Sequence, residues 1–316
     1  MINKRGFEVS FAWIFAMIVG SVILFIAVYA TVTLVNTSRL KTDSETAYQL
    51  GILLNPVETN LESGRYAVIE FPSETRVFNS CRTIGNFGQQ GIRAAVKSGI
   101  GKDFQNPGVE STFFNKYLFS REVEQGKKLH LFVKPLKLPY KIGDLIFASA
   151  GEYCFIDAPG DVEDEINDLN IGNVELVSDV EECSSESRKV CFANANCDVD
   201  VNTITQVVTI KMENAETKDV YYEGNLIYGA IFSDPEIYEC QVIRLMKRAG
   251  ELAHLYKTKT EILSSKGCSS NLAGDLNLFA SQIQINEGEN SFKLSNIKIL
   301  SDNLGRRNDL LSCKLF

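Results

Sequence analysis

Eight cysteines are the residues of this 316-residue chain best placed to do chemistry. Cys81, Cys154, Cys183, Cys191, Cys197, Cys240, Cys268 and Cys313 all lie in the later three quarters of the chain. An even number confined to one part of a sequence suits four disulfides formed in an oxidising compartment. Metal ligation is the competing chemistry, since Cys183, Cys191 and Cys197 crowd together. Their spacing is wider than that of a zinc knuckle and no histidine is near, so disulfides are expected. One bridge is expected within the 183–197 cluster and another between Cys240 and Cys268, tying a helix to the loop after it. The other pairings stay open.

Other reactive constellations are sparse. His130 sits in the alternating pattern KLHLF and His254 on a helical stretch, so both read as structural or solvated side chains. The stretch KSGIGK, Lys97 to Lys102, lacks the glycine spacing and Gly-Lys-Ser/Thr ending of a phosphate loop and reads as a hairpin turn. Between Asp161 and Glu186 ten carboxylates precede the next base, Arg188. Asp161, Glu163 and Glu165 alternate as calcium ligands do, but Ile166 stands where an EF-hand needs glycine and Gly172 where it needs a bidentate carboxylate. A solvated acidic turn or short helix is expected there. Arg244, Lys247 and Arg248 form a basic cluster on a predicted helix, read as a solvated face that lipid headgroups or an acidic neighbour, such as the 161–186 interval of another copy, can meet.

No serine-hydrolase elbow, histidine pair at helical metal spacing or dinucleotide fingerprint is present. The sequence therefore predicts no enzyme, no cofactor, no metal and no identifiable small-molecule ligand. A net charge of -8 and a pI near 5.1 argue against nucleic acid, whose binding needs clustered Lys and Arg.

The element that must position all this comes first. No charged side chain occurs from Val9 to Ser38, and Phe11 to Val35 is almost wholly apolar. As a helix those residues reach about 37 Å, enough to cross a hydrocarbon core of about 30 Å. One transmembrane helix is predicted, with Trp13 in the interfacial aromatic belt. The apolar run is too long for a cleaved secretory signal, although Ala27 to Ala30 offer small residues. Charges balance across the span, Lys4 and Arg5 against Arg39 and Lys41, so the cysteines decide orientation: N-terminus cytoplasmic, later chain outside. Asn36-Thr37-Ser38 is a glycosylation sequon lying close to the bilayer.

Leu40, Ala47, Leu50 and Leu54 recur at helical intervals, so the helix is expected to continue to about Leu54 before Asn55-Pro56, or else to break near residues 36–38. RYAVIEF, TRVFNS, IRAAVKS, STFFNKYLF, KLHLFVKPL and DLIFASAGEYCFI read as strands, as do KVCFA, VDVNT, ITQVVTIKM and VYYEGNLIYGAIF. Their close spacing predicts antiparallel connections. Ser233-Asp234-Pro235 is a helix start, and helices are expected to about Ser264 and over 272–285 and 291–304. The predicted fold is α+β: a cytoplasmic segment 1–8, a transmembrane helix 9–36, a helical stalk 37–55, an antiparallel, sandwich-like β-rich domain 56–232 and a mainly helical region 233–316.

The N-terminal run KRGFEVSFAWIF, with Lys4-Arg5-Gly6 before Phe7 and an uncharged helix, resembles the class III signal of type IV prepilins and their archaeal relatives. The resemblance implies cleavage after Gly6, a processed chain beginning at Phe7, and a first helix that anchors the subunit and then packs into an assembly. It covers the first 30 to 50 residues. The family's glutamate stands at the fifth processed position, whereas Glu8 here is the second and Phe11 the fifth. A long head and helical last third also depart from the usual design, pointing to an accessory or tip-like component. Glu8 has its own physical role: a carboxylate beside a helix N-terminus meets the positive end of the macrodipole, worth about 0.3–1 kcal/mol. The expected function is a membrane-anchored structural or adhesive surface component assembling through its N-terminal helix, with a tethered binding module as the alternative and an anchored hydrolase more distant.

Overall fold

The computed structural model describes residues 11–60, 66–97, 104, 106–192, 197–212, 214–268, 270–284 and 289–316. Helix α1, Phe11–Asn60, is one uninterrupted rod of 50 residues. Its segment Phe11–Val35 is long and apolar enough to cross a membrane, and none of it is buried against protein. The hydroxyls of Ser21, Thr31, Thr33 and Thr37 donate back to carbonyls of the preceding turn, which satisfies those four hydroxyl protons on the exposed helix surface. The break considered near 36–38 does not occur, and Pro56 does not end the helix at Leu54. Proline removes one backbone donor, and α1 continues one further turn.

Two six-stranded sheets follow. The first contains β1 (Tyr66–Arg82), β2 (Gln89–Val96), β3 (Ser111–Phe113), β4 (Leu118–Phe119), β5 (Val123–Lys137) and β6 (Lys141–Ser149), in the order β3-β2-β1-β5-β6-β4. RYAVIEF and TRVFNS, read as separate strands, join into β1. The irregularity between Glu70 and Thr75 holds Pro72, where the β1–β5 ladder is interrupted and no donor is needed.

The second sheet contains β7 (Tyr153–Ile156), β8 (Val174–Val177), β9 (Arg188–Cys191), β10 (Val199–Asn202), β11 (Val207–Lys211) and β12 (Thr217–Tyr221), in the order β12-β11-β10-β9-β7-β8. Here the antiparallel expectation fails, because β8, β7, β9 and β10 run parallel. The cause is the acidic interval, which supplies α2, Gly160–Leu169, as the crossover between β7 and β8. Val162, Ile166 and Leu169 bury one face of α2; Asp161, Glu163, Asp164 and Asp168 stay in water, while Glu165 is half-buried, paired with Lys134 and accepting from the Tyr228 hydroxyl. The run DLIFASAGEYCFI, read as one strand, is cut by a turn at Ala150–Glu152, and its halves enter different sheets.

VYYEGNLIYGAIF is strand only to Tyr221. Gly224, at φ +52°, turns the chain into α3, Leu226–Phe232. Every residue of α3 is buried, so its apolar run has no amphipathic period by which sequence separates a short helix from a strand. Phe232 packs edge-to-face on Phe132 of the first sheet and tilted against Tyr153 and Phe155 of the second, so α3 sits in a core that both sheets share. Helices α4 (Pro235–Ser265), α5 (Ala273–Gln282) and α6 (Leu294–Asp309) contribute to that same core through Tyr238, Leu245, Phe279 and Leu304.

Candidate functional site

The first candidate is the seam where the exposed rod meets the head. Asp43, Ala47, Leu50 and Gly51 form one stripe of α1 and are buried. Leu50 packs among Val77, Ile92, Leu129 and Leu131 of the first sheet. The Asp43 carboxylate accepts the Val96 N–H at 3.1 Å, and the Ser44 hydroxyl oxygen accepts the Val109 N–H at 2.9 Å. Gly51 gives the Phe113 ring room against the helix, and Gly108 lies on the α1 backbone at Asp43–Ser44, so a Cβ at either position collides. Only seven residues separate Val35 from Asp43, so rod and head form one stiff unit.

The second candidate is the end of the head remote from the apolar segment. Along β2, Val96 lies at Asp43, and the partner of Gln90 on β3, Phe113, lies at Gly51, so the β1–β2 hairpin at 83–88 is beyond the seam. The expected solvated basic face is corrected here. Arg244 is wholly buried and donates to the carbonyls of Phe87, Phe114 and Lys116 and to Gln241 Oε1, with the Tyr117 ring 4.9 Å from its guanidinium carbon. Lys247 donates to the carbonyls of Thr83 and Gly85. Gly88, at φ +61°, lets the hairpin close over Arg244. Two loops are thus strapped by cations of α4. Beneath them Gln241 and Gln90 join Asn79 and Ser120 in a buried amide network.

Beside the α4 N-terminus an open cleft of about 1020 Å³ lies between the sheets, floored by Val123, Ile210, Met212 and Ile237. Asp234 accepts the Glu122 N–H at 2.7 Å and lies 3.8 Å from the Arg121 guanidinium, fixing the rim. Behind it Glu124, 6% exposed, accepts from the N–H groups of Arg121 and Ala150. Burial is the main cause that pushes its carboxyl up to about 7, and Asp234 adds to it. Sequence reasoning missed this residue, because Glu124 falls between the stretches read as strands, STFFNKYLF and KLHLFVKPL, and a glutamate there reads as solvent-facing.

Four disulfides join all eight cysteines: Cys81–Cys240, Cys154–Cys183, Cys191–Cys197 and Cys268–Cys313. The expected bridge inside the 183–197 cluster is Cys191–Cys197. The expected Cys240–Cys268 pair is wrong: α4 separates them by most of its length, and Cys240 instead faces β1. Asp200 lies near Cys191 and Cys197, but sulfurs bonded to each other are not thiolate ligands. His130 is half-buried and bonded through Nδ1 to the Tyr66 hydroxyl, and burial followed by Lys128 lowers its pKa. Gly6, Phe7 and Glu8, together with the core of the KSGIGK turn, lie outside the described residues.

No protein-family model matches the chain, and neither the curated proteins nor the solved structures hold a significant match to it.

Proposed function

We propose that the chain is a single-pass, membrane-anchored surface component of structural or adhesive type, related in plan to type IV pilins and not catalytic. The N-terminus lies in the cytoplasm, Phe11–Val35 crosses the bilayer, and the disulfide-bonded, sandwich-like head stands outside. One observation carries this reading: α1 passes without a break from a fully exposed apolar segment into a buried, hydrogen-bonded seat on the first sheet. A cleaved signal or flexible tether has no need of such a seat. The stiff joint transmits position from anchor to head, as a subunit of an assembly requires. Four disulfides support the oxidising side. The cleft favours a second reading, a tethered binding module.

Mass spectrometry of the purified protein tests the prepilin-type part, with a chain beginning at Phe7 expected and an intact Met1 contradicting it. In the same sample, thiol alkylation without reductant is expected to label no cysteine. Labelling of most of them overturns placement in an oxidising compartment.

A further inference from the structure

Ile84, Phe87 and Phe114 project from the two strapped loops with 72%, 41% and 57% of their surface exposed. Their backbones are already fixed by Arg244 and Lys247. Large apolar side chains on a pre-ordered backbone lose little freedom on association, the property that lets a few residues dominate an interface. Lys247, whose ammonium lies on the Thr83 and Gly85 carbonyls, adds positive charge beside these knobs.

The cleft across the Cys81–Cys240 bridge has the opposite character. Its apolar floor is lined by five carboxylates against three cations; Arg121 faces Asp234 within the cleft, and Glu236 is paired with Lys218 at its edge. The surrounding chain from 151 to 223 holds eighteen carboxylates and four bases. A cleft inside such a field concentrates positive charge at its mouth. The knobs thus match the cleft in both polarity and charge, and one chain carries both.

We propose that the cleft of one copy receives the Ile84–Phe87 hairpin and Phe114 of a second copy. The contact rests on the surface-assembly reading in that it needs two heads on one side of a membrane. Apolar burial supplies the affinity, and the opposed charges set orientation and rate of encounter.

Phe87→p-benzoylphenylalanine in the full chain, reconstituted in liposomes and irradiated, tests this. The expected product has twice the chain mass, with the adduct on second-copy peptides containing Met212 or Ile237. Adding Ile84→Asp, at an exposed position that leaves the melting temperature unchanged, is expected to lower that product at least ten-fold. Adducts confined to lipid, to the same chain or to other parts of the second copy overturn the proposal, as does a product unaffected by Ile84→Asp. Failure of the anchoring reading shows separately, as protein absent from the liposome fraction before irradiation.

Discussion

Arg244→Ala is expected to destabilise the head by about 3–5 kcal/mol, read as the shift of the chemical-denaturation midpoint of the full chain in detergent. The guanidinium is wholly buried, and its hydrogen-bond partners are uncharged: three backbone carbonyls and an amide oxygen. Burial pulls its pKa down to about 10, so it stays protonated at neutral pH. Truncation removes the donors from all four acceptors at once and leaves a void that water must fill or the loops must collapse into. Arg244→Met keeps most of the volume without the donors and is expected to fall between. A loss below about 1 kcal/mol for Arg244→Ala would mean that the loops do not depend on the cage.

Glu124→Gln is expected to flatten the pH dependence of stability between about pH 4.5 and 7. The folded carboxyl titrates near 7 and the unfolded one near 4.5, so across that interval the folded state holds a proton that the unfolded state has released. Stability therefore falls as pH rises, by roughly 3 kcal/mol over the window. Glu223 and Glu239, also raised by burial, slope the same way, while His130, lowered by burial, opposes them below its ordinary value. Because those groups are common to both proteins, the difference in slope between wild type and Glu124→Gln isolates Glu124. Gln presents an N–H where the carboxylate accepted from Arg121 or Ala150, so the slope and not the absolute stability is the quantity to read. Equal slopes would show that Glu124 is solvated in the folded protein.

What sequence reveals here follows from how local each cause is. The exposed rod is legible because its length and its lack of charge are written within one stretch, and α4 because Asp234-Pro235 marks its start. The parallel half of the second sheet is not legible. It depends on α2 crossing between β7 and β8, which only the packing of Val162, Ile166 and Leu169 reveals. The Cys81–Cys240 bridge spans 159 residues and depends on α4 lying across β1, a relation that no spacing encodes. Arg244 shows the same limit: in sequence it stands with Lys247 and Arg248 as one basic cluster, and only the loops folded over it distinguish it. Gly51 and Gly108 carry no local signal of the seam they allow.

Labelling of unbroken cells with a membrane-impermeant amine reagent tests the anchored, outward-facing head most directly. Lys127, Lys137 and Lys141 are exposed on the first sheet and its β5–β6 turn. The account predicts that mass spectrometry finds these lysines modified before lysis, on protein that stays with the membrane through alkaline washing. Modification only after the cells are opened, or release of the protein by the wash, would contradict it.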